Sequence, residues 1–151
     1  MIAVLSFDVD AEAAILADDE RHAANAMVIT HQRFGPQVGV PRILALLAEY
    51  DLPATFFVPG VTARRHPATV EMILAAGHEV GHHTHTHRSA VALGPAEERR
   101  DFEAALEALA RFGVSPKGNR AALWEASWLT PALIAEHGML YDSSLMDRDS
   151  P

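Results

Sequence analysis

The sequence predicts an α/β fold of parallel strands with covering helices, and three observations predict it. Short apolar runs alternate with amphipathic stretches along the chain, which is the pattern of repeated strand–helix units. Helical stretches open near a proline and close on a glycine, as in Pro67 to Gly77 and Pro95 to Gly113, the usual asymmetry of helix ends. The residues able to do chemistry stand where the strand-like runs end, and in such folds the carboxyl ends of the strands carry the site.

Ala3 to Phe7 is a buried strand, being short, apolar and bounded by Asp8-Val9-Asp10. From Ala11 to Gln37 no clear periodicity is legible, and a long connection of that kind often walls a site. Pro41 opens a helix whose Ile43, Leu44, Leu47 and Ala48 form an apolar stripe. Ala54 to Val58 is a strand stopped by Pro59-Gly60. Pro67 to Ala76 is a second helix, with Val70, Ile73 and Leu74 inward, and His78 to Gly81 is a short strand. Pro95 to Phe112 is the longest helix, with Phe102, Leu106, Leu109 and Phe112 on one side and charges on the other. Lys117 to Arg120 is a strand edge, Thr130-Pro131 caps a helix to His137, and Met139 to Asp142 is a fifth strand.

A chain of 151 residues is read as one domain, residues 1–151, with a single core. Its net charge of −8 disfavours nucleic acid and anionic membranes as partners and is easier to reconcile with a small molecule or a neutral glycan. With no cysteine, any metal must be held by imidazole and carboxylate. The first residues are apolar but carry no basic leader, so they are read as the first strand of a cytoplasmic protein.

Five of the nine histidines fall within residues 77–87. Imidazole is the commonest protein ligand for borderline metals. His83 and His87 stand four apart, which on a helical turn would put both rings on one face. A carboxylate from the Asp8-Val9-Asp10 segment would complete a three-ligand site with an open position, the pattern of a catalytic metal.

Ser6-Phe7-Asp8-Val9-Asp10, Gly77 to His87, Arg120 followed by Trp124-Glu125, and Leu140 to Leu145 resemble successive motifs of the polysaccharide deacetylase (NodB homology) family. Within it, Gly39 to Leu44 and Pro53 to Gly60 are similar to the branch holding the Helicobacter-type peptidoglycan deacetylase, the allantoinases and the cyclic imidases. The resemblance implies a distorted (β/α) barrel and hydrolysis of carbon–nitrogen bonds other than peptide bonds. It further implies that Asp8 is the general base and that Asp10, His83 and His87 hold a divalent metal, zinc suiting the donors. Arg120 would orient Asp8, and Trp124 and Leu145 would wall the substrate groove. Arg120-Ala121-Ala122 lacks the proline that follows the family's arginine, which bears on the placement of Asp8. The family's last motif, a histidine that protonates the leaving nitrogen, has no counterpart in this sequence.

Five strands are legible, whereas a closed barrel needs roughly 200 residues or more. The chain is therefore expected to be a barrel truncated to about five strands, and its open edges predict a homo-oligomer or a segment supplied by another chain. The leading reading is deacetylation of an N-acetylated sugar. The alternatives are hydrolysis of a cyclic imide or ureide, and a catalytically dead remnant that keeps the fold. His82 and His85 are read as bystanders of the ligand pair, and Trp128, Asp147 and Asp149 receive no role.

Overall fold

The computed structural model describes residues 3–146. Five parallel strands, β1 (Ser6–Asp8), β2 (Thr55–Val58), β3 (Glu79–His82), β4 (Gly118–Asn119) and β5 (Tyr141–Asp142), lie side by side in chain order. Each crossover steps one strand further in the same direction, so the sheet winds on instead of doubling back and curls into a half-barrel. The helices are α1 (Glu12–Asp18), α2 (Ala26–Gln32), α3 (Val40–Glu49), α4 (Gly60–Arg65), α5 (Pro67–Ala75), α6 (Pro95–Ala110) and α7 (Thr130–Glu136).

The alternation of side chains along the strands separates two faces. Phe56, Val58 and Val80 pack with Val40, Leu44 and Leu47 of α3, Val70 and Ile73 of α5 and Leu109 of α6 into the main core. Phe102, Leu133, Ile134 and Met139 form a smaller cluster under α7. The opposite face mixes Phe57 with polar groups: Glu79 accepts hydrogen bonds from Thr55 Oγ1 at 2.9 Å and from Tyr141 O–H at 3.0 Å. Gly118 lies directly beneath the Tyr141 ring, where no Cβ would fit.

Four readings of the elements need correction, the first being the opening strand, which is Ser6–Asp8 instead of a buried Ala3–Phe7, with Val4 and Leu5 exposed. Residues 11–37 are largely helical, with α1, α2, a 3-10 turn at Glu20–Ala24 and a π turn at Gly35–Gly39 that runs into α3. These pieces are too short to show a period, and capping holds them instead: Asp19 accepts from Arg21 N–H at 2.9 Å and Asn25 from Val28 N–H at 3.3 Å. Buried Glu12 docks α1, with His66 Nε2 at 2.6 Å and Arg33 Nε at 3.6 Å. A further helix, α4, follows Pro59 directly. Thr130 lies inside α7 rather than capping it, and its hydroxyl donates to Glu98 at 2.6 Å. Asp147 and Asp149 lie outside the described residues.

Candidate metal centre

Asp8 ends β1, and Asp10 stands two residues on, in a bend fixed by a hydrogen bond from Thr62 Oγ1 to the Asp10 carbonyl and by Val9 N–H to Phe57 O at 2.9 Å. His83 immediately follows β3. Because β2 lies between β1 and β3, the two segments meet only above the strand ends. There Asp10 Oδ1 is 3.3 Å from His83 Nε2 and Oδ2 is 3.4 Å from His87 Nε2, and donor atoms of all three residues lie within 4.8 Å of one another.

The two rings do not share a helical face. Residues 83–87 form an irregular loop in which Thr84 (φ 59°) and His87 (φ 62°) are left-handed, and this reversal turns both buried rings toward Asp10. Non-glycine residues rarely adopt that conformation without support.

The ring nitrogens can be assigned from their partners. His83 Nδ1 lies 2.7 Å from the carbonyl oxygen of Arg120, which can only accept, so Nδ1 carries the proton and Nε2 turns a lone pair on Asp10. A lone pair facing a carboxylate oxygen at 3.3 Å requires a positive charge between them, a proton or a metal ion. Asp10 Oδ1 is buried and has no aligned hydrogen-bond donor. Burial by itself would raise the Asp10 carboxyl, but the His83 and His87 imidazoles beside it outweigh that and hold the group well below the usual carboxylate range. Neighbouring donors of a tetrahedral ion with bonds of about 2.1 Å lie about 3.4 Å apart, so this donor set fits a divalent cation.

Asp8 is held separately. Arg120 Nη1 donates to Asp8 Oδ1 at 2.5 Å, while Nη2 donates to Ser6 Oγ at 2.8 Å and Ser143 Oγ at 2.7 Å. The guanidinium lies 4.2 Å over the Phe57 ring. Arg120 thus reaches Asp8 without a proline after it. The Ala122–Trp124 turn is shaped instead by left-handed Leu123 and Trp124 and tied down by Ala121 N–H to Ser144 Oγ at 2.7 Å. Asp8 Oδ2 is 4.0 Å from His83 Nε2.

Asp8 and Asp10 form the floor of an open cleft of about 420 Å³, which residues 31–35 and 39–43 wall with His31, Gln32, Phe34, Val40 and Ile43. Trp124 and Leu145 are exposed, on the loops after β4 and β5, and do not line this cleft. Beneath the centre, His82 Nδ1 contacts Asn119 Oδ1 at 2.7 Å, and Asn119 Nδ2 donates to Asp142 at 2.7 Å. His82 is thereby a tie between strand ends. Sequence reasoning missed Ser6, Ser143 and Asn119; the signal available was their position at strand ends next to named site residues.

A family model described as polysaccharide deacetylase matches residues 22–140. The chain is 38% identical over 122 residues to the peptidoglycan deacetylase of Helicobacter pylori, covering 80% of this chain and 42% of that protein. A crystal structure of a candidate polysaccharide deacetylase from Mycobacterium smegmatis superposes with a TM-score of 0.93 at 48% identity, over 97% of this chain and 51% of that one. An allantoinase structure superposes at 0.77 with 26% identity, over 92% of this chain and 52% of its own. The chain therefore spans about half the length of these relatives.

Proposed function

The chain belongs to the polysaccharide deacetylase family, and from that premise we propose that its site serves to hydrolyse the amide of an N-acetylated sugar with the help of a divalent cation. The carrying observation is the convergence of Asp10, His83 and His87 next to an independently held Asp8. Asp10, His83 and His87 would hold the cation, and zinc suits two imidazoles and a carboxylate. The chemistry such an ion supplies is acidification of a coordinated water and polarisation of the amide carbonyl.

The rest follows from the chain's own side chains. Asp8, with Oδ1 occupied by Arg120, keeps Oδ2 free to take the proton of an attacking water. Arg120 fixes the carboxylate plane with a charge-assisted bond. Its carbonyl holds His83 in the tautomer that presents Nε2. Trp124 and Leu145, exposed beyond β4 and β5 and outside the cleft, are proposed to contact the outer part of a glycan. The activity is proposed for the whole protein that contains these residues, with 1–151 contributing to one catalytic domain. The relatives' names favour an N-acetylated sugar over a cyclic ureide.

Among the described residues β1 and β5 have no strand on their outer sides, and we propose that a second copy of this chain covers these edges. Light scattering that reports a monomer would refute that. No helix among the described residues is long and apolar enough to cross a membrane.

The test is acetate release from chitooligosaccharides and peptidoglycan fragments, alongside allantoin and succinimide, with zinc supplied or chelated. Zinc-dependent acetate release supports the proposal. Turnover of the ureide alone, or of nothing with zinc bound, would overturn it.

A further inference from the structure

We propose that Asp101, on α6 and outside the donor set, is the positioning residue that sets the spacing of His83 and His87. The inference rests on the metal reading above. The Asp101 carboxylate accepts from His85 N–H at 2.7 Å, Thr86 N–H at 3.0 Å and Thr86 Oγ1–H at 2.6 Å. From the other side, the first turn of α4 donates Gly60 N–H to Thr84 O at 3.0 Å and Val61 N–H to His85 O at 2.9 Å. Both peptide units that flank His85 are therefore bonded at each end.

These contacts hold a shape the loop would not keep alone, since Thr84 and His87 are both left-handed. The approach leaves no slack: a Cβ on Gly60 would run into the His85 ring and the backbone of Ala105 in α6. Asp101 uses both carboxylate oxygens as acceptors. An asparagine there has the same size but would turn an N–H₂ group on one of the donors. The loop would relax, and with it the separation of the two imidazoles.

The experiment compares wild type, Asp101→Asn, Thr86→Val and Glu98→Gln. Zinc affinity is measured by competition with a chromophoric chelator, and the visible spectrum is recorded with cobalt(II) in place of zinc. Glu98 is the control: it is buried on the same helix, but its contacts are Ser127 and Thr130. Asp101→Asn is expected to weaken zinc binding about tenfold, the usual size for a residue that orients a ligand, and to shift the cobalt bands. Thr86→Val should weaken it less, and Glu98→Gln should lower Tm with affinity and spectrum unchanged. Wild-type affinity in Asp101→Asn, or equal losses in Glu98→Gln, overturns the inference. Should Asp101→Asn fail to fold, unchanged affinity in Thr86→Val overturns it. A wild type that takes up neither ion overturns the metal reading and this inference together.

Discussion

The His83 ring donates its Nδ1 proton to the carbonyl oxygen of Arg120 at 2.7 Å, while the side chain of the same arginine holds Asp8. One residue thus addresses both halves of the centre, through its backbone on the His83 side and through its guanidinium on the Asp8 side. The two duties are separable, because substitution changes the side chain and leaves the carbonyl in place.

Arg120→Lys should therefore split the two. Lysine keeps the charge but loses the fork that reaches Asp8, Ser6 and Ser143 together. Acetate release should fall about 100-fold, the scale of a misplaced reacting group, while zinc affinity stays near that of wild type. A parallel collapse of metal binding would contradict this division.

His83→Ala and Asp10→Ala should each abolish zinc uptake, read as metal content after gel filtration, against about one ion per wild-type chain. Zinc should raise the Tm of the wild type and leave both variants unmoved. Retention of one ion by either variant would remove that residue from the donor set.

Acid stability should carry the signature of His82. Burial pushes its imidazole down to about 4, against hydrogen bonds at Phe102 O and Asn119 that favour protonation. The unfolded chain takes up this proton below the ordinary value of 6.5, whereas the folded one resists it until about 4. Stability contributed at neutral pH is thus lost progressively from 6.5 down to 4, by ~3 kcal/mol in all. Urea midpoints of the chelated protein measure this slope, and His82→Gln should flatten it. An unchanged slope in that variant would assign the effect elsewhere.

Gly118→Ala should destabilise the half-barrel by about 1–3 kcal/mol, the scale of overpacking. The added methyl would occupy the space of the Tyr141 ring and push its hydroxyl off Glu79. Tyr141→Leu in the Gly118→Ala background should recover part of the loss. A Gly118→Ala protein as stable as wild type would show that the ring moves freely.

The alternation of strands and helices was legible because β2, α5 and α6 are apolar on the faces that reach the core, as Phe56, Ile73 and Leu109 illustrate. Asp8, Asp10 and Arg120 were legible because strand ends in parallel sheets share one rim. What escaped is of two kinds. Seven-residue helices such as α1 and α2 span about two turns, too little for a periodic stripe; Asn25 caps α2, while Asp19 caps the 3-10 turn after α1, which is docked instead by buried Glu12. The His83–His87 loop escaped because a four-residue spacing reads as a helix, while hydrogen bonds donated to Asp101 and accepted from α4 hold left-handed backbone from outside the segment. Ser6 and Ser143 are ordinary residues whose role appears only when Arg120 lies between them.

Asp10 lies just past β1, and His83 and His87 just past β3, with the whole of β2 and its flanking helices threaded between them. An ion shared by these donors, as proposed, would close that long stretch of backbone into a ring, as a covalent cross-link would. The entropy it removes from the unfolded chain grows with the logarithm of the enclosed length. Starvation for metal would then loosen the first half of the barrel as a unit, and its susceptibility to proteases would report the metal supply of its surroundings.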